Sequence, residues 1–248
     1  MQLMRLADNF AQAAAKLATT KDLEVLLDAA AREMGFRYFA IMHHTNGSHG
    51  MPPAIRLHNY PDGWAEWFDS KRLGSNDPVH RASRRSSLGF AWSRLPDLIP
   101  LTARDLEILQ MARQSGLGDG FTVPAHIPGE AAGSCSFVTK QGGLMSNRLH
   151  GAAQLIGAFA FEGARRLVRE AHPWPATPGL SDRQRDCLYW VARGKSDWEV
   201  SRILGLSHGT VIQYLKQARH RYGVITRAQL TVHALFDGSL SFSDLLRD

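Results

Sequence analysis

Ser196-Asp197-Trp198-Glu199-Val200-Ser201-Arg202-Ile203-Leu204-Gly205-Leu206-Ser207-His208-Gly209-Thr210-Val211-Ile212-Gln213-Tyr214-Leu215-Lys216 holds the pattern that decides the fold of the C-terminal third. Serine before a helix accepts a hydrogen bond from a free N–H of the first turn. Ser196 therefore caps a short helix, Asp197 to Leu204, and Gly205-Leu206 makes a tight turn. Ser207 caps a longer helix, His208 to Tyr222, with Val211, Leu215 and Ala218 inward at i, i+4 and i+7. Those are the proportions of a helix-turn-helix. The other side carries His208, Ile212, Gln213, Lys216, Arg219 and His220, and no acid occurs between Ser207 and Arg221. Donors without a facing carboxylate suit the major groove of DNA. A solvated basic face on a structural bundle would show the same charge. The glycine turn, serine cap and acid-free helix together favour the groove.

Outward from this core, Ser181 caps a helix that runs to Ala192 and stops at Gly194, and Arg227 to Phe236 forms a fourth helix. Leu180 to Leu230 holds nine Lys/Arg against four acids, so this window carries +5 of the chain's net +6. A basic module beside a near-neutral one points to a polyanion partner. Upstream, Pro173, Pro175 and Pro178 fall within six residues and cannot continue a helix. The chain thus divides into residues 1–172, a Pro-rich linker at 173–179, and 180–248.

Before the linker, Asn147 to Arg169 has one long apolar stripe, and Phe159 and Phe161 make it a candidate dimer surface. Asp22 is placed as the cap of a helix with Leu23, Leu26, Leu27, Ala30 and Met34 on one face, ended by Gly35. Phe36–Met42, Ala54–His58, Phe121–Ile127 and Ser134–Thr139 read as strands, and Asp62–Arg72 and Ala103–Gln114 as helices. Helices at both ends with strands between predict an α/β fold: an α-β-α sandwich with room for a small apolar ligand, followed by an all-α domain.

At 248 residues, 44% hydrophobic and 21% charged, the chain has the composition of a globular protein of one or two domains. The apolar run Gly151–Phe161 is too short to span a bilayer, and the first residues lack a signal peptide's apolar region. Cys135 and Cys187 alone build neither a disulfide framework nor a zinc site. These features predict a reduced cytoplasmic protein with no membrane partner. His43, His44 and His49 lack the spacing of a metal site. G-x-S-x-G, P-loop and dinucleotide motifs are missing, so neither an enzyme nor a cofactor is expected.

Leu180–Gln184, Ala192–Ser196, Glu199–Ser207, Thr210-Val211, and Tyr222-Gly223-Val224 with Thr226–Gln229 resemble the LuxR-type helix-turn-helix. Gln184 stands where that family usually has Glu, and Tyr214 where it usually has His. Gly209, early in the recognition helix, costs about 1 kcal/mol of helix propensity. The expected DNA-contacting set is Lys195, Ser207, His208, Thr210, Ile212, Gln213, Lys216 and Arg219. Response regulators share this module, but their receiver domain needs an acidic pair after its first strand, where this chain has His43-His44-Thr45-Asn46.

Tyr60-Pro61-Asp62-Gly63-Trp64, Phe68, Asp77-Pro78-Val79, Phe90-Ala91-Trp92 and Gly120–Pro124 resemble the autoinducer-binding domain of quorum-sensing LuxR-type regulators. The resemblance implies that residues 1–172 bind an N-acyl-homoserine lactone and dimerise. By position, Trp92 would lie against the lactone and Trp64 would donate to its carbonyl. Asp77 would accept the amide N–H, and Tyr60 and Ser136 would reach the acyl carbonyl. Phe68 stands where a tyrosine is common. Trp suits a carbonyl because it only donates, and ionised Asp suits an N–H because it only accepts. Ile41, Phe68, Val79 and Leu109 are candidate apolar walls. The same residues have plainer readings: Asp77-Pro78 fits a helix cap with proline at N1, and Trp64 with Phe68 fits a core pair. Gly120 is read as a spot that either admits no side chain or needs unusual backbone angles.

The resulting expectation is a homodimeric, ligand-responsive transcriptional regulator on a palindromic double-stranded DNA site, with RNA polymerase as a further partner. Two alternatives stand beside it. One is a ligand-blind regulator of the same fold, or one tuned to another small molecule. The other is an acyl-lactone-processing enzyme.

Overall fold

The computed structural model describes residues 2–45, 54–143, 145–172 and 179–246. His49 and all of the linker except Gly179 lie outside them. The chain divides into two compact units, Met1–His126 with Ala131–Trp174, and Ile127–Glu130 with Pro175–Asp248.

The first unit is built on a five-stranded antiparallel sheet, β1 (Tyr38–His43), β2 (Arg56–His58), β3 (Phe90–Ala91), β4 (Leu117–Ala125) and β5 (Gly133–Lys140), in the order β2-β1-β5-β4-β3. Alternate residues of a strand face opposite ways. On one face, Phe39, Ile41, Phe121, Val123, Cys135 and Phe137 are buried. That face is covered by α7 (His150–Ala171), with α1 (Gln2–Ala14) and α2 (Thr20–Glu33) packed against it. Gly157 lets α7 approach: a Cβ there would meet the Val123 side chain at 2.8 Å. The other face is covered by short helices, α3 (Asp62–Ser70), α4 (Pro78–Ser83), α5 (Leu95–Leu98) and α6 (Ala103–Gln114).

The caps follow the chemistry of their residues. Thr102 and Asp105 form a reciprocal capping box on α6. The N-cap of α2 is Thr19, whose hydroxyl accepts from the Asp22 N–H; Asp22 sits inside the first turn, where its charge suits the helix dipole. This corrects the placement of Asp22 as the cap. Helix α1 was not anticipated, although Ala7, Phe10 and Ala14 supply its buried stripe. Leu117–Gly120 also extends β4 beyond its expected start at Phe121. On α7, Phe159 is exposed, but Phe161 is buried and occupies the space a Cβ on Gly133 would need. Only Phe159 of that pair is available to a partner.

Of the second unit's described residues, 179–246 fold as helices: α8 (Asp182–Ala192), α9 (Asp197–Leu204), α10 (His208–Tyr222), α11 (Arg227–Phe236) and α12 (Phe242–Leu245). Ser181, Ser196 and Thr226 each form capping boxes, with Gln184, Glu199 and Gln229. Gly205 ends α9 in the left-handed region (φ 65°), the conformation that a Schellman-type stop requires. Val211, Leu215 and Ala218 are buried with Cys187, Leu188, Val200 and Leu230 in one core. The first unit is thus an α/β ligand-domain fold and the second a helix-turn-helix domain. Among the described residues, no helix is long and apolar enough to cross a membrane.

Candidate functional site

Between the sheet and α3–α4 the first unit holds a narrow cavity of about 40 Å³ that opens to solvent. Its lining includes Tyr60, Trp64, Phe68, Asp77, Trp92 and Ser136, so all six expected ligand residues converge on one cavity. Such a lining, mostly apolar with a few convergent polar groups, is that of a small-molecule site.

Each side chain has a structural reason for its place. Asp77 is the N-cap of α4, its Oδ1 accepting the His80 N–H at 3.0 Å, with Pro78 at the first helical position. The plain cap reading is correct, and the same residue also lines the cavity. Burial raises the Asp77 pKa, the outcome for a carboxyl short of a cationic partner. Helix α4 is tied to α6 by Arg81, whose guanidinium donates to both oxygens of Asp105 at 2.8 and 2.9 Å. Burial alone would raise the Asp105 pKa, but the Thr102 N–H and the Arg81 guanidinium hold it below the usual range.

Trp64 stacks on Trp67 at 5.3 Å and lies 5.9 Å from Phe68. The Trp92 indole N–H donates to Thr122 Oγ1 at 2.8 Å, and Thr122 shares a 2.8 Å hydrogen bond with Ser136. Trp92 is therefore already satisfied and offers a ligand its ring face. Gly120 explains that placement: a Cβ there would sit 2.5 Å from the Trp92 ring. The glycine is needed for space, and its φ is ordinary. Tyr60 faces Ser136, and burial pushes its phenol well above the ordinary value, so it remains a neutral donor.

Two expected walls are elsewhere. Ile41 points to the opposite face of the sheet, because the cavity takes the alternate residues Ala40 and Met42. Leu109 packs in the cluster of Val79, Phe90 and Leu95 and lines a separate cleft. Phe68 and Val79 do line the cavity. Sequence reasoning missed Arg56, His58 and His80. The alternation of β2 would have placed the first two on one face. His80 Nδ1 donates to the Gly74 carbonyl at 2.8 Å, and its ring stacks on the buried His44 ring at 3.8 Å. Among the described residues, no cluster of His, Cys, Asp and Glu could hold a metal ion.

In the second unit, Ile212, Gln213 and Lys216 are exposed along α10, and Gln217, His220 and Arg221 continue the same face. His208 is exposed at its start. The Ser207 hydroxyl caps the helix through the Thr210 N–H and shares a 2.7 Å hydrogen bond with the Thr210 hydroxyl. Lys195 lies 3.8 Å from Glu199. Arg219 departs from the expected face: its guanidinium donates to the Ile225 carbonyl at 3.0 Å, and its Nε is buried. It binds the loop after the helix; Arg221, missed in the sequence, is exposed and likewise donates to a backbone carbonyl, that of Gly179, at 2.9 Å.

The profile of the family described as "Autoinducer binding domain" matches residues 19–167, and that of "Bacterial regulatory proteins, luxR family" matches residues 178–234. The chain belongs to the autoinducer-binding LuxR-type family of transcriptional regulators. It is 28% identical over 214 residues to the transcriptional activator protein AhyR of Aeromonas hydrophila, covering 84% of this chain and 81% of that one. It is 27% identical over 188 residues to LuxR of Aliivibrio fischeri, covering 74% of each. Its fold is similar to that of Escherichia coli SdiA, with a TM-score of 0.70, 21% identity and 99% of both chains covered. As a LuxR-type regulator the chain is a DNA-binding protein with a small-molecule signal, and the family is not one of enzymes.

Proposed function

We propose that this LuxR-type regulator senses an N-acyl-homoserine lactone and binds a palindromic promoter site as a cytoplasmic homodimer. The observation that carries the reading is the cavity: a tryptophan donor, a carboxylate acceptor, a neutral phenol and a serine hydroxyl converge among apolar walls. An acyl-homoserine lactone carries two carbonyls and an amide N–H at its head. Each must find a partner on burial, or binding loses about 1–3 kcal/mol per unmet group. Trp64 serves the lactone carbonyl, Asp77 the amide, and Tyr60 with Ser136 the acyl carbonyl. Trp92 supplies a flat apolar face to the ring.

Residues 1–172 form the sensing and dimerising domain, 173–179 the linker, and 180–248 the DNA-binding domain. Dimerisation follows from the short reading head, since one recognition helix reads too few base pairs alone. The exposed Phe159 on α7 is the proposed contact. A receptor for a different small molecule is the second reading. Phe68, which offers a ligand no phenol, favours it.

A thermal-shift titration of the full chain against a panel of N-acyl-homoserine lactones tests the proposal. A saturable rise in Tm with one member is expected. No rise with any member, from protein that still binds DNA, would reject the lactone in favour of the second reading.

A further inference from the structure

The register of the sheet places the cavity's polar groups along a line. Ala40 of β1 pairs with His58 of β2 on one side and with Ser136 of β5 on the other. Ser136 pairs in turn with Thr122 of β4. Directly paired residues of antiparallel strands point to the same face, so His58, Ala40, Ser136 and Thr122 form one row under the cavity. Thr122 and Ser136 hold the Trp92 end. Ala40, with only a methyl, lines the cavity between Ser136 and His58. His58 closes the far end, two strand spacings or about 9–10 Å from Ser136.

The head groups of the lactone leave His58 unused. Its neighbour Arg56 is already engaged in an ion pair with Asp69. His58 Nδ1 is buried without a hydrogen-bond partner, and the ring lies 5.9 Å from that of Tyr60. Burial, then the charge of Arg56, lowers the pKa of His58, so the ring is neutral and carries one donor and one acceptor nitrogen. A buried polar atom in a ligand cavity that lacks a protein partner is a place for a ligand atom.

Resting on the lactone reading above, we infer that His58 is a specificity-determining residue that hydrogen-bonds a hydroxyl at the far end of the acyl group. A hydroxyl fits either neutral tautomer of the ring, because it both donates and accepts. A plain alkyl end leaves the Nδ1 atom unmet, which is the stronger form of discrimination available to a buried site. The acyl chain runs from Ser136 across Ala40, with its carbonyl at Tyr60 and its end at the β2 edge.

The test is calorimetric titration of the full chain with hexanoyl-, 3-hydroxyhexanoyl- and 6-hydroxyhexanoyl-homoserine lactone. The 6-hydroxy compound is expected to bind about tenfold tighter than the hexanoyl compound. His58→Phe should bring the ratio of the two affinities to about one, and His58→Gln should restore part of the preference. Equal binding of the hexanoyl and 6-hydroxy compounds by the unaltered chain would overturn the inference and leave the lactone sensor standing. A preference that survives in His58→Phe, or one for the 3-hydroxy compound alone, would also overturn it. Failure of all three to bind would overturn the inference, while the wider lactone panel above decides the lactone reading on its own. If His58→Phe does not fold, the unaltered chain's ranking of the three compounds still decides.

Discussion

Asp77 shows how one side chain serves two ends. Its Oδ1 caps α4, and its carboxylate faces the cavity. The two roles separate in Asp77→Asn. Asparagine caps as well as aspartate, so Tm should hold within about 1 kcal/mol of stability. With its one oxygen committed to the cap, the amide would present N–H groups to the signal's own N–H, and lactone affinity should fall by tenfold or more. Equal affinity in a titration would remove Asp77 from recognition. The sequence carried both readings of Asp77-Pro78, and choosing between them was never required. Arg219 is the opposite case: helical spacing put it on the outer face, yet a long side chain can turn along the helix to the Ile225 carbonyl. Lys216 is exposed on that face. Lys216→Ala should weaken DNA binding and, where the lysine meets a phosphate, flatten the salt dependence by about one unit of slope. Where it reads a guanine, the loss is about 1–3 kcal/mol and confined to the matching sequence. Unchanged affinity across a salt series would dismiss both.

Elements with strong local signals were legible. The boundaries of α6, α9, α10 and α11 follow directly from Thr102, Ser196, Ser207 and Thr226, because a cap is a contact within four residues. What escaped depends on distant partners. β3 has two residues and exists only through its pairing with β4. The face that Ile41 takes follows from strand register, and a shift of one residue inverts it. His58 entered the cavity through the same register. Gly120 on β4 was legible as a constraint, and the structure supplies its cause in the Trp92 ring. Gly120→Ala should force that ring aside, with a loss of about 1–3 kcal/mol by overpacking and a larger relative loss of ligand response. A variant that melts and responds like the parent would show that the ring can yield.

At the scale of the whole molecule, stability should follow both signal and acidity. A ligand at a hundred times its Kd adds about 2.7 kcal/mol to the unit that binds it. Acidity acts through His44, buried against the His80 ring and hydrogen-bonded to Ser134. Burial first, then the charges of His80, Arg84, His43 and His126, push its pKa well below 6.5. The unfolded chain takes up this proton near pH 6.5 and the fold refuses it, so stability is full above that pH and declines below it. Between pH 6.5 and 5.5 this group alone should cost up to about 1 kcal/mol. Melting curves from pH 8 to 5 test this, and an equal slope in His44→Gln would locate the effect elsewhere. The double service of Asp77 reaches further, to the history such a chain can have. Were the signal to vanish from its environment, the helix would still require the carboxylate, and selection for folding would keep it in place. Descendants deaf to any lactone would retain Asp77 and drift first at His58, whose Nδ1 no protein atom meets. A sensing lineage would therefore be told from a silent one at the edge strand rather than at the aspartate.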